Sequence, residues 1–248
     1  MKALILAAGR GSRMKNRTKD RPKCLVPFRG KPLLEHQILA IQAAGIKEIG
    51  LITGYRREML AGRGLYEFHN PNWESTQMVT SLVCAQDWLE AGPCLVSYSD
   101  IFYETSAVSS LMKTSAKIAV TYAVDWLSLW EKRFGNPLDD AETFRVNPDH
   151  TIAEIGRKAK LVAEIEGQYM GLIYFHPEGW QEAKKIFKQM KPEEYACLQM
   201  TALLQKVVEK KSIPVAAIPF KGIWGEVDSE EDLLLYEEKR AQKIKGFQ

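Results

Sequence analysis

Ala3-Leu4-Ile5-Leu6-Ala7-Ala8-Gly9-Arg10-Gly11-Ser12-Arg13 is an apolar run that breaks abruptly into glycines and arginines. The apolar part, Ala3 to Ala7, has the length and unbroken character of a strand covered on both faces. The loop that follows, Gly9 to Pro22, is Gly-rich and basic. A strand feeding such a loop at the start of a chain is the signature of an α/β fold. Beyond it, Lys31 to Ala44 carries apolar residues at helical spacing (Leu34, Ile38, Ile41) and stops at Gly45, a natural C′ residue. Ile46 to Thr53 then supplies a second strand. The three pieces form a βαβ unit, which predicts two parallel strands joined by a right-handed crossover.

The alternation continues with a helix over Thr76 to Leu89, a strand over Cys94 to Tyr98, a helix over Glu104 to Thr114 and a strand over Ile118 to Ala123. From about Asp125 to Glu166 it lapses into charges, Pro137, Pro148 and short β-like pieces (Thr143 to Val146, Ala153 to Ile155), which predicts an inserted lid over residues 125–166. Tyr169 to Phe175 restores a strand, Gly179 to Gln189 and Glu194 to Lys210 read as helices, and Val215 to Ile218 as a last strand. The final helix, Ser229 to Lys245, opens with a capping pattern, Ser229 followed three residues later by Asp232. With no repeat and no low-complexity linker, residues 1–248 read as one domain, a mixed sheet covered by helices.

Composition narrows the function. The 248 residues are 46% hydrophobic and 26% charged, an ordinary globular balance. Thirty-four Lys+Arg against 31 Asp+Glu leave a formal +3, too little for the basic footprint of a nucleic-acid binder. The apolar start is cut off by Arg10 and Arg13 before it reaches the ~7 to 15 residues of a secretory core. No stretch approaches the ~20 apolar residues of a membrane span. Cys24, Cys84, Cys94 and Cys197 form no close pairs, so the expectation is a reduced, cytoplasmic protein. His36, His69, His150 and His176 share no motif, and the basic runs Lys184-Lys185 and Lys206 to Lys211 read as solvated helix faces.

The loop after the first strand stands where open α/β sheets bind ligands. Its glycines let backbone N–H groups approach phosphate oxygens, and its arginines supply charge. It is not a dinucleotide fingerprint, because Met14 stands where a third glycine belongs and no acid ends the second strand; nor does it hold the Gly-Lys-Ser/Thr of a Walker loop. The alternative is a tight turn with solvated arginines. Arg21-Pro22-Lys23-Cys24-Leu25 adds a lysine whose backbone is fixed by the preceding proline.

Leu-Ala-Ala-Gly-x-Gly-Ser-Arg followed by Pro-Lys resembles the nucleotidyltransferases that join a nucleoside triphosphate to a phosphorylated sugar or amino alcohol. Gly54-Tyr55, Ser97-Tyr98-Ser99-Asp100 and Trp224-Gly225-Glu226-Val227-Asp228 are similar to later motifs of that family and arrive in its order. The segment Trp126 to Phe144 and Gly167 to Gly171 resemble the small cytidylyltransferases that activate phosphocholine and related phosphorylated amines, phosphonates or phosphoamino acids. The resemblance implies a three-layer α/β/α, Rossmann-like (GT-A-like) fold with a mixed, mostly parallel sheet. It implies Mg²⁺ on Asp100 and Asp228, Arg13 on the β- and γ-phosphates, and Lys23 bridging the α-phosphate and the incoming phosphate. Ala8, Gly9, Gly11, Ser12, Gly54, Tyr55, Gln77 and Ser81 would bind the nucleotide, with CTP as the expected triphosphate. Gln77 departs from the family's asparagine.

The chemistry suits these residue types. A phosphate nucleophile has its second pKa near ~6 and is already an oxyanion at pH 7, so no general base is needed. Alignment of two anions and stabilisation of departing pyrophosphate are the demands. Each acid has a plain structural alternative: Asp100 as a helix cap, Asp228 as a neighbour of the Ser229 cap. For the acceptor, Trp126, Trp130, Tyr169 and Trp224 offer ring faces for an ammonium group and Asp139, Asp140, Glu142, Glu166 and Glu226 countercharges, while Arg133 and Lys158 suit a carboxylate or phosphate. Acceptor identity stays open between these sets. The rival readings are a sugar 1-phosphate enzyme using UTP, dTTP or GTP, and a nucleotide-sensing module without turnover.

Overall fold

In a computed structural model of the chain, residues 1–241 are described. The longer elements of the first half are β1 (Lys2–Ala7), α1 (Leu33–Ala43), β2 (Ile49–Thr53), β3 (Tyr66–His69), α2 (Met78–Val83), α3 (Gln86–Ala91), β4 (Cys94–Tyr98), β5 (Ile101–Tyr103), α4 (Thr105–Met112) and β6 (Ile118–Ala123). The second half adds α5 (Leu127–Phe134), β7 (Glu142–Val146), β8 (Ile152–Lys158), β9 (Gln168–Phe175), α6 (Pro177–Phe187), α7 (Pro192–Ala196), α8 (Met200–Lys210), β10 (Val215–Phe220), β11 (Trp224–Glu226) and α9 (Glu230–Ala241). Seven strands form one sheet in the order β10-β6-β9-β4-β1-β2-β3. β9 runs antiparallel to both neighbours, and the other pairs are parallel. The sheet is therefore mixed and mostly parallel.

Alternation of side chains along β1 builds the layers. Ala3 and Ile5 pack on one face with Leu34 and Ile41 of α1 and Leu111 of α4. Leu4 and Leu6 point to the other face, among Leu82 of α2, Trp180 of α6 and Leu203 of α8. Both faces are covered, as a strand with a continuous apolar run requires. α1 ends at Gly45, which takes φ +94 and returns its N–H to Gln42 O at 2.9 Å, while Ile46 N–H reaches Ile41 O. A residue with a side chain is strained in that conformation. β1, β2 and β4 leave the sheet at one edge, so the chain after Ala7, Thr53 and Tyr98 converges there.

Three expectations are corrected. The helix expected over Thr76 to Leu89 is two, α2 and α3, broken at Cys84 and Ala85. The helix expected over Glu194 to Lys210 is also two, because Ala196 O and Leu198 O turn outward to accept from Gln77 N–H and Val79 N–H instead of bonding along a helix. The segment 125–166 does hold a helix, α5, before the antiparallel pair β7 and β8. The capping pattern forms as read: Asp232 N–H donates to Ser229 Oγ (3.1 Å) and Ser229 N–H to Asp232 Oδ2 (3.1 Å). The expected end of that helix, Lys245, lies outside the described residues. Among the described residues no helix is long and apolar enough to cross a membrane.

The contact of α6 with β6 tolerates no side chain at Gly179, where a methyl would lie 2.1 Å from Lys117 O and 2.7 Å from Ile118 Cγ1. Gly179→Ala is expected to lower stability by about 1–3 kcal/mol by pushing the helix off the sheet. Gly92→Ala meets no atom within 4 Å and should stay within about 0.5 kcal/mol of the parent. Urea unfolding midpoints read both.

Candidate active site

Asp100 lies in the two-residue link between β4 and β5, at the sheet edge where the glycine loop also emerges. β11 pairs antiparallel with β5, setting Glu226 opposite Ile101, and Val227 N–H donates to Asp100 O at 2.8 Å. This backbone pairing brings the carboxylates of Asp100, Glu226 and Asp228 together, with one oxygen of each lying within 4.8 Å of the others. Asp100 caps no helix, since α4 begins at Thr105 behind Glu104. Asp228 does join the cap of α9, donating its backbone N–H to Asp232 Oδ2, but its carboxylate faces the cluster.

Two loops deliver the cations. Gly11 adopts φ +72, and a Cβ there would sit 2.7 Å from Lys23 Cβ and 2.8 Å from Lys23 Cδ. A glycine at this position satisfies the backbone conformation and leaves room for the lysine stem. Lys23 Nζ then reaches Asp100 Oδ2 at 2.9 Å and also bonds Asp228. Arg13 Nη2 pairs with Asp228 Oδ2 at 3.0 Å from a side chain that stays 66% exposed. Behind them Arg133, wholly buried, donates from Nε to Asp232 Oδ1 at 2.8 Å and from Nη1 to Glu226 Oε2 at 3.0 Å.

Four carboxylates thus face three cations. Burial pushes the Glu226 carboxyl well above the usual carboxylate range, and the charges of Asp228 and Asp100 add to that. Burial acts the same way on Asp228, but Lys23 and Arg13 outweigh it and hold its carboxyl below the ordinary value. Lys23 is raised: burial opposes its charge, and Asp100, Asp228 and Glu226 prevail. Asp100 Oδ1 is buried without a hydrogen-bond partner. An orphaned carboxylate oxygen beside two further carboxylates fits a hard divalent cation, which takes oxygen ligands.

Two cavities meet at the cluster and share Arg13, Met78 and Tyr98. The first is lined by Ala8, Gly9, Gly11, Ser12, Lys23, Gln77, Ser81 and Asp100, together with Trp73 and Thr76, which belong to none of the motifs above. Gly54 and Tyr55 lie behind its floor. A Cβ on Gly54 would fall 2.6 Å from both Ala8 O and Trp73, Tyr55 N–H donates to Ala8 O at 2.9 Å, and the Tyr55 ring packs on Trp73. The second cavity takes Trp130, Asp140, Glu142, Tyr169, Trp224, Glu226 and Asp228, with Gln168 and Thr201 added. Trp130 and Trp224 stack with centroids 5.9 Å apart.

Five residues expected at the acceptor, Asp139 and Glu166 among them, lie outside both cavities. Arg133 is enclosed by its acids, Lys158 Nζ donates to Leu138 O and to Asp139 O, and Trp126 is buried at the start of α5. The partners of Arg133 follow it by about a hundred residues, so no local pattern announces that it is an internal counter-ion. A polar run before α2, Asn70 to Gln77, was the available signal for Thr76.

Residues 3–168 match the MobA-like NTP transferase domain. Over 255 aligned positions, covering 96% of this chain and all of the relative, the sequence is 34% identical to CTP:phosphoglutamine cytidylyltransferase of Campylobacter jejuni subsp. jejuni. A 58-residue stretch, 23% of this chain and 25% of the relative, is 48% identical to choline-phosphate cytidylyltransferase of Streptococcus pneumoniae. The inositol-1-phosphate CTP transferase of T. maritima superposes with a TM-score of 0.75 at 20% identity, over 100% of this chain and 98% of that one. CTP:phosphocholine cytidylyltransferase from S. pneumoniae gives 0.70 at 20% identity, over 98% and 99% of the two chains. These structures share the fold.

The raised Glu226 carboxyl costs the metal-free protein stability above its unfolded value of 4.5, and that cost vanishes at lower pH, where Glu226 is protonated in both states. Glu226 is 24% exposed, so the effect is modest. In a chelator, Glu226→Gln is expected to raise the thermal midpoint at pH 7.5 by ~2–4 °C, equivalent to about 1 kcal/mol in a chain of this size, with the gain disappearing by pH 4. Arg133→Met, which strands its buried acids, should cost about 3–5 kcal/mol at pH 7 in urea unfolding.

Proposed function

Because the chain belongs to the MobA-like NTP transferase family and is a nucleotidyltransferase, we propose that it moves a cytidylyl group from CTP to a small phosphorylated or phosphonylated amine. The observation that carries this reading is the carboxylate cluster at the junction of two cavities, with Lys23 and Arg13 on it. One cavity is bordered by the glycine loop and suits a triphosphate. The other offers ring faces of Trp224 and Tyr169 and the acids Asp140 and Glu142, which suit an amine. The relatives that act on phosphoglutamine and choline phosphate support an acceptor of this class.

In the proposed reaction an oxygen of the acceptor phosphate attacks the α-phosphorus, the new P–O bond forms, and the bond to pyrophosphate breaks. The nucleophile is ionised at neutral pH, so no side chain removes a proton from it. Lys23 stands at the junction as a fixed ammonium, able to contact both reacting phosphates. Arg13 is exposed enough to turn from Asp228 toward the β- and γ-phosphates and to receive the charge that accumulates on the leaving group. Asp100 and Asp228, with Glu226 beside them, would hold a divalent ion, expected to be Mg²⁺, which when bound supplies further neutralisation of the triphosphate. Arg133 holds Glu226 and Asp232 in place from behind and touches neither substrate. The segment 125–166 contributes Trp130, Asp140 and Glu142 to the acceptor side, the role proposed for it as an acceptor-binding insert.

Pyrophosphate release, measured with Mg²⁺ for CTP, UTP, GTP, ATP and dTTP against phosphocholine, phosphoethanolamine, 2-aminoethylphosphonate, phosphoamino acids and sugar 1-phosphates, tests this. CTP with an amine-bearing acceptor should give the highest kcat/KM. Asp100→Ala should lower it by ~10²–10³, the scale for losing a charge-positioning group in the transition state. Faster turnover of a sugar 1-phosphate with UTP or dTTP would refute the reading, and an Asp100→Ala enzyme within threefold of the parent would refute the metal assignment.

A further inference from the structure

Asn70 stands behind the first cavity, 2% exposed, and touches none of its space. Both donors of its side-chain amide and one lone pair of its oxygen are committed. Asn72 N–H donates to Asn70 Oδ1 at 2.9 Å, which fixes the oxygen end of the amide. The two hydrogens on Nδ2 go to Thr76 Oγ1 at 3.0 Å and Ser81 Oγ at 2.9 Å. Thr76 and Ser81 both line the cavity, and each hydroxyl has a carbonyl within reach. Thr76 Oγ1 donates to Asn72 O at 2.8 Å and Ser81 Oγ to Gln77 O at 3.3 Å. A hydroxyl has one proton and two lone pairs. With the proton on a carbonyl and one lone pair on Asn70, each keeps a single lone pair for a ligand.

We infer that Asn70 is a positioning residue that sets Thr76 and Ser81 as paired hydrogen-bond acceptors on the base-binding wall, and thereby selects a pyrimidine with an exocyclic amino group over one with a keto oxygen. The inference rests on reading this cavity as the nucleotide site. Cytosine and uracil have the same ring and nearly the same size, so shape does not separate them. Polarity does: the cytosine amino group donates, whereas the uracil oxygen would meet lone pairs. To accommodate uracil, a hydroxyl must withdraw its proton from the carbonyl and turn it into the cavity, and the Asn70 amide occupies the other side of the oxygen. One lost hydrogen bond of this kind is worth about two- to tenfold in affinity.

The test is calorimetric titration of the full chain with CTP and with UTP, Mg²⁺ present and acceptor absent, alongside kcat/KM for pyrophosphate release. The parent protein should favour CTP by about tenfold or more. Thr76→Val and Ser81→Ala should each weaken CTP several-fold and leave UTP within about twofold. Asn70→Ala should lower the CTP:UTP ratio about fivefold without touching either nucleotide. The ratio is the informative readout, because a merely loosened fold weakens both ligands together. An unchanged ratio in a folded Asn70→Ala protein overturns the assignment. If that variant does not fold, unchanged ratios in Thr76→Val and Ser81→Ala overturn it. A parent protein that binds neither nucleotide sinks the proposed function instead, whereas equal use of CTP and UTP leaves nucleotidyl transfer standing and sinks only the selectivity.

Discussion

The arrangement on which the rest depends is a partly buried set of opposite charges, Lys23, Arg13 and Arg133 against Asp100, Glu226, Asp228 and Asp232. Removing several charges from water is costly unless each finds a partner, and here the partners come from the glycine loop, the turn after it at Lys23, the β4–β5 link, α5, β11, the β11–α9 link and α9. Hydrophobic packing sets the layers of the fold, while this cluster ties these segments together where β4 and the glycine loop leave the sheet.

The same geometry divides the labour between the cavities. The first draws on the glycine loop and on the start of α2, and its wall of small residues and hydroxyls is held from behind by Asn70. The second draws on α5, β7, β9 and β11, where aromatic faces and acids dominate. Tyr98 and Met78 belong to both and Arg13 spans them. Lys23 and Arg13 are concentrated on the carboxylates where the two cavities meet.

Much of this was legible in the chain because the relevant signals are local. β1 and the loop after it are contiguous, and Gly9, Gly11, Ser12, Arg13 and Lys23 need only that continuity to be assigned to one site. Asp100 and Asp228 were legible through motifs adjoining a strand and a helix cap. Where contacts are long-range, the reading failed. Arg133 carries no mark distinguishing a solvent-facing arginine from a buried one, since its partners Glu226 and Asp232 lie 93 and 99 residues away. The break between α7 and α8 was hidden for a similar reason: residues 194–210 have sound helical spacing, and only the backbone of Gln77 and Val79, from elsewhere in the sequence, draws the carbonyls of Ala196 and Leu198 out of line.

The bond between Lys23 and Asp228 closes a span of 205 residues. Loops of that length are slow to close and yield nothing until they do. During synthesis the glycine loop, β1 and the α1–β2 crossover are all made long before β11 exists, so the folding chain carries Lys23 and Asp100 through most of its production without their remaining partner. Completion of the cluster therefore waits on the last part of the chain, and a chain truncated before β11 lacks Glu226 and Asp228 whatever the rest of its sheet has built.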